Sequence, residues 1–65
     1  MKTYKPGDRV MTNDMKYGTI ADTTPSVEAN GDIWYDVILD DGGRSTQDAW
    51  RLMPEADAIR KWGKR

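Results

Sequence analysis

The strongest periodic signal lies in the middle of the chain. From residue 32 to 40, Ile33, Tyr35, Val37 and Leu39 alternate with Asp32, Trp34, Asp36, Ile38 and Asp40. A period of two belongs to an extended strand, whose successive side chains point to opposite faces. One face is wholly apolar and is predicted to join the core. The other is acidic, with Trp34 and Ile38 set into it. Asp41-Gly42-Gly43 then marks a tight hairpin turn, and residues 44–47 read as a short return strand.

Weaker patterns flank this hairpin. Pro6-Gly7-Asp8 is a turn, followed by a β-capable run over 9–12 in which Val10 shares a side with Asp8 and Thr12. Asn13-Asp14 turns the chain into a second strand over 17–22. Gly18 within it suggests a bulge or a close backbone approach. Residues 23–31 are the longest loop, closed by Asn30-Gly31. After the hairpin, Asp48 is placed to cap a single helical turn over 48–50, and residues 51–53 form a last short strand. Pro54 then permits a helix start. Glu55 and Asp57 favour its first turn, Arg60 and Lys61 its last, and Gly63 ends it. The predicted order is five short strands and one terminal helix. Strands this short hide their edges best in a small closed barrel, so the fold class is all-β: a five-stranded barrel over 1–54, with a helix and basic tail over 55–65.

Length and composition narrow the chemistry. Sixty-five residues make one domain, able to bury about 60% of the surface its unfolded chain exposes. The chain has no cysteine and no histidine. Disulfides, thiolate metal sites, the usual zinc and haem centres and a Ser-His-Asp arrangement are therefore excluded. No phosphate loop or EF-hand spacing is present, and the adjacent Asp40 and Asp41 fit a solvated turn. No catalytic, cofactor or metal site is expected. Hydrophobic residues make up 37% of the chain and phenylalanine is absent, so three Trp and three Tyr must supply much of the apolar area.

The net charge of −1 conceals a polarity along the chain. Residues 32–50 carry five aspartates against Arg44 alone. Residues 51–65 carry Arg51, Arg60, Lys61, Lys64 and Arg65 against Glu55 and Asp57. No apolar run approaches the length of a membrane span or a signal-peptide core, so no membrane association is expected and the cytoplasm is the default compartment.

Four segments together resemble the SH3-like barrels of the KOW and Tudor type. They are Pro6-Gly7-Asp8-Arg9-Val10, Tyr17-Gly18-Thr19-Ile20, the run from Trp34 to Gly42, and the run from Asp48 through Leu52-Met53 to Pro54. The likeness covers roughly residues 4–54 and preserves the order of all four pieces. It implies a fold far more than a function, since this fold hosts many. Tudor-type barrels bind methylated side chains in aromatic cages. Here Tyr17, Trp34 and Tyr35 would be the walls and Asp36 the acidic neighbour, although Tyr35 lies on the predicted core face. KOW-type barrels contact RNA, ribosomal proteins or RNA polymerase. The Gly-Asp-Arg-Val opening is also similar to that of the plasmid-borne trimethoprim-resistant dihydrofolate reductase, but Ser45-Thr46-Gln47-Asp48 lacks the Val-Gln-Ile-Tyr segment that lines its pore.

The expected function is a non-catalytic binding module, an accessory, adaptor or inhibitor protein of the kind small phage and mobile elements encode. It would dock on a larger protein partner through Trp34, Asp36 and Ile38, with Tyr17 and Trp62. The alternative is a nucleic-acid-binding module using Arg51, Arg60, Lys61, Lys64 and Arg65, with Trp62 stacking on a base. Trp62 and Ile59 have a competing role, docking on Trp34 and Ile38 to cover the barrel. A free edge strand would also allow pairing with another copy.

Overall fold

In the computed structural model, which describes residues 3–63, the chain forms six strands and one α-helix. The strands are β1 (Arg9–Met11), β2 (Tyr17–Ile20), β3 (Ser26–Val27), β4 (Ile33–Leu39), β5 (Arg44–Asp48) and β6 (Met53–Pro54). A single 3-10 turn (Ala49–Arg51) joins β5 to β6, and α1 (Glu55–Trp62) follows directly. All pairings are antiparallel within one sheet. β4 is its centre: β2 and β3 share one edge, β5 takes the other, and β1 and β6 continue beyond β2.

The alternation in β4 sorts as the sequence predicts. Tyr35, Val37 and Leu39 are buried with Val10, Ile20, Ala49 and Leu52, and Tyr4 and Ile33 pack against them. Tyr35 also closes the chain start onto the core. Its hydroxyl accepts from the Tyr4 N–H at 3.0 Å, and the two rings meet edge to face at 5.5 Å. The β4–β5 turn needs Gly42 at φ +97, and the Asp41 carboxylate accepts from the Gly43 N–H at 2.9 Å.

Two expectations need correction. The sheet has six strands, not five, because Ser26–Val27 pairs with Ile33 and Trp34 inside the segment read as a loop. Pro25 and Glu28 interrupt any local strand pattern there, so the pairing is dictated by its partner. Nor does the barrel close. Among the described residues β5 pairs only with β4, and β6 only with β1. At that corner the backbone is occupied by the 3-10 turn: the Arg51 N–H donates to the Asp48 carboxylate at 3.0 Å and the Leu52 N–H to the Ala49 carbonyl at 3.3 Å. Groups that would have continued a ladder are spent locally, and the buried side chains of Ala49 and Leu52 fill the gap.

The helix also lies elsewhere than expected. It packs against β1 and β6 rather than on Trp34 and Ile38. Met11, which points away from Val10 on β1, is buried at 5% exposure. Arg9 pins the arrangement. Its guanidinium makes two hydrogen bonds of 2.7 Å to Asp40, reaches Glu55 at 2.9 Å and donates to the Thr19 hydroxyl at 2.9 Å. These carboxylates raise its pKa above the ordinary arginine value. One side chain thus ties β1, β2, the β4–β5 turn and the first residue of α1.

Candidate functional site

Three large apolar side chains are left in solvent close together. Trp50 is 65% exposed, Met15 62% and Trp62 49%, and all three line one concavity of about 450 Å³. Met11, Met53 and Leu52 form its apolar floor, while Thr12, Asn13 and Arg51 supply polar groups. A flexible thioether adapts to irregular partners, so a methionine-lined groove with tryptophan rims is suited to taking apolar side chains of varied shape.

Each wall has a local cause. Trp50 sits in the middle of the 3-10 turn, where Ala49 is buried and its successor is turned outward. Met15 caps the β1–β2 turn with φ +66, a left-handed conformation unusual for a side chain with a Cβ. That turn is fastened by the Met15 N–H to the Thr12 carbonyl at 3.0 Å, the Thr12 N–H to the Lys16 carbonyl at 2.8 Å, and the buried Thr12 hydroxyl on Asp14. The hydroxyl holds the Asp14 carboxyl below the usual range. Trp62 ends α1, where the Gly63 N–H returns to the Ile59 carbonyl at 2.7 Å. The Lys61 ammonium lies 5.0 Å from the Trp62 ring centroid.

Of the residues predicted to bind protein, Trp62 alone lines this groove. Trp34, Asp36 and Ile38 share the outer face of β4, where Thr19 pairs with Ile38 and Tyr17 lies half-buried on the same face of β2. Ile38 is 38% exposed. The Trp34 ring carries the Arg51 guanidinium at 5.9 Å, and its indole N–H is buried without a hydrogen-bond partner. Asp36 is engaged within the chain. It accepts from the Thr46 hydroxyl at 2.9 Å and the Thr23 hydroxyl at 3.1 Å, with Arg44 at 3.7 Å. The Thr46 and Thr23 bonds hold its carboxyl below the ordinary value. Tyr35 is 3% exposed, so the three rings named above do not converge as a cage.

Of the basic residues, Arg51 lines the groove and pairs with Asp48 at 3.7 Å, and Arg60 pairs with Asp57. Lys64 and Arg65 lie outside the described residues. Among the described residues no acidic cluster could hold a metal ion, and no helix is long and apolar enough to cross a membrane. Sequence reasoning missed Trp50, Met11, Met15 and Met53. Their signal was compositional: four methionines and three tryptophans in a chain with so little room for a core. Comparison with known protein families, with curated proteins and with solved structures finds no match to this chain.

Proposed function

We propose that this chain is a non-catalytic protein-binding module, an open SH3-like barrel that docks on a larger partner through the Met-Trp groove. The observation that carries this reading is the placement of Trp50, Met15 and Trp62, three of the most exposed large apolar side chains, on one concave surface. Exposed tryptophan beside adaptable methionine is the composition of an interface anchor. The fold reading is supported by the strand order and by the 3-10 turn, which falls where the resemblance puts its closing turn.

The test is capture from a nuclease-treated lysate with the native chain and with Trp50→Ala. Trp50 is mostly in solvent, so its loss changes stability by no more than about 0.5 kcal/mol. A protein partner should be retained by the native chain and weakened at least tenfold by Trp50→Ala. Capture unaffected by Trp50→Ala but lost with Ile38→Ala would move the docking surface to the acidic face of β4.

A second reading, single-stranded nucleic acid, is favoured by one specific observation: Lys61 stands over the Trp62 ring and Arg51 lines the same groove. Oligonucleotide binding that declines steeply with salt and weakens in Trp50→Ala would support it. Absence of binding at low salt would remove it.

A further inference from the structure

The corner where the barrel fails to close leaves β5 with one unpaired edge, and the register shows which backbone groups that edge presents. The Leu39 N–H donates to the Gly43 carbonyl at 2.8 Å, and Val37 and Tyr35 stand opposite Ser45 and Gln47. In an antiparallel ladder, hydrogen-bonded pairs alternate with non-bonded ones. The N–H and C=O groups of 43, 45 and 47 therefore face β4. Asp36 and Asp40 confirm the phase, since their bonds run to Ala21 and Tyr17, towards β2. Arg44, Thr46 and Asp48 consequently direct their backbone groups away from the sheet, on an edge that no other described strand covers.

We propose that this edge pairs with the same edge of a second copy, antiparallel about a two-fold axis at Thr46. In that register Thr46 faces Thr46 of the other copy, and Arg44 faces its Asp48 on both sides of the axis. All three outward-facing residues fall on hydrogen-bonded positions, each pair exchanging two N–H···O=C bonds. Opposite charges directly across a ladder attract, whereas like charges there are unfavourable. Sliding the strands to centre on Arg44 or on Asp48 instead stacks like charge on like. Among the two-fold registers of this edge, only the one centred on Thr46 sets opposite charges across the ladder, and a self-complementary patch is what a two-fold interface requires. Arg44 is free to turn, its side chain being 61% exposed with only a loose 3.7 Å contact to Asp36. The Asp48 carboxylate already accepts from the Arg51 N–H at 3.0 Å with the Arg51 guanidinium at 3.7 Å, so Arg44 of the other copy would join that contact through the remaining acceptor positions. The occupant is a second copy rather than a foreign strand because the complementary charges are both on β5 itself. The inference is independent of the groove.

The experiment is light scattering on size-exclusion eluate over a concentration series. The 7.4 kDa chain should approach twice that mass at the highest concentrations. Thr46→Pro removes an N–H that bonds nothing within the sheet, and Arg44→Asp sets like charges across the interface; each should weaken dimerisation at least tenfold while the circular dichroism stays native. Arg44→Lys should retain the dimer, so the charge test stands even where the proline variant does not fold. A monomer at every concentration overturns the proposal. So does a dimer that survives Arg44→Asp, and its dissociation by Trp50→Ala would assign self-association to the groove instead.

Discussion

Two residues of the second hairpin strand and its turn show how backbone geometry and side-chain choice oppose each other. Met15 occupies a left-handed conformation, which costs roughly 1–2 kcal/mol for an L-residue and nothing comparable for glycine. Gly18 is the reverse. A Cβ there would stand 2.6 Å from the Ile38 carbonyl oxygen and 2.7 Å from the Val37 side chain, where β2 and β4 press together. Met15→Gly should therefore stabilise the fold, by up to about 1 kcal/mol, while it strips a rim from the groove and weakens partner capture. Gly18→Ala should destabilise by about 1–3 kcal/mol, because the neighbour that must yield is backbone. Chemical denaturation of both variants checks the pair. A destabilised Met15→Gly would mean that its side chain packs for stability, and the groove would lose its claim to be built for a partner. The close approach at Gly18 was legible in the sequence as a glycine inside a strand pattern; the strain at Met15 was not, since Asn13 and Asp14 are the residues of that turn that ordinarily take a positive φ.

Among the elements, those defined by their own residues were readable and those defined by partners were not. β4, its Asp-Gly hairpin, the capped turn after Asp48 and the limits of α1 all follow from local pattern. β3 exists because Trp34 and Ile33 offer it an edge, and α1 settles on β1 and β6 because Arg9 holds Glu55 there. Trp62 was legible as a site residue on an amphipathic helix. Trp50 was not, because period has no meaning over a three-residue turn. The placement of α1 is testable through Arg9→Lys. Lysine keeps the charge but not the fork that grips Asp40 and Glu55 at once, and a bidentate, multi-partner contact is where Arg and Lys differ most. The variant should lose about 1–2 kcal/mol, a fall of roughly 4–8 °C in melting midpoint for each kcal/mol in a domain this small. The loss should be smaller when Glu55→Gln is already present, since the two share one contact. Full additivity of the two substitutions would show that the Arg9–Glu55 bond contributes nothing to anchoring the helix.

Over the whole molecule, the missing histidine and cysteine set the response to pH. No side chain with an ordinary pKa between about 5 and 8 is present, so folding stability should be flat across that range. The acid limb is governed by carboxylates that the fold keeps ionised. Asp36, held by Thr46 and Thr23, and Asp14, held by Thr12, both lie below their ordinary 3.8. Below that value the unfolded chain takes up protons that the folded chain still refuses, so stability falls with pH. The contribution of these groups is therefore complete above 3.8 and disappears as pH drops through their folded values. Arg9 has the opposite sign: its pKa is raised, so its contribution is present at every pH below the ordinary arginine value and is lost only above it, far outside the working range. Melting midpoints measured against pH should show a plateau with a single acid decline. Asp36→Asn should lower the plateau, because the amide accepts from the two threonine hydroxyls less strongly, and should flatten the decline. A plateau lowered with an unchanged acid limb would place the acid sensitivity in other carboxylates, and the Asp36 network would then be a packing feature of the β4–β5 face.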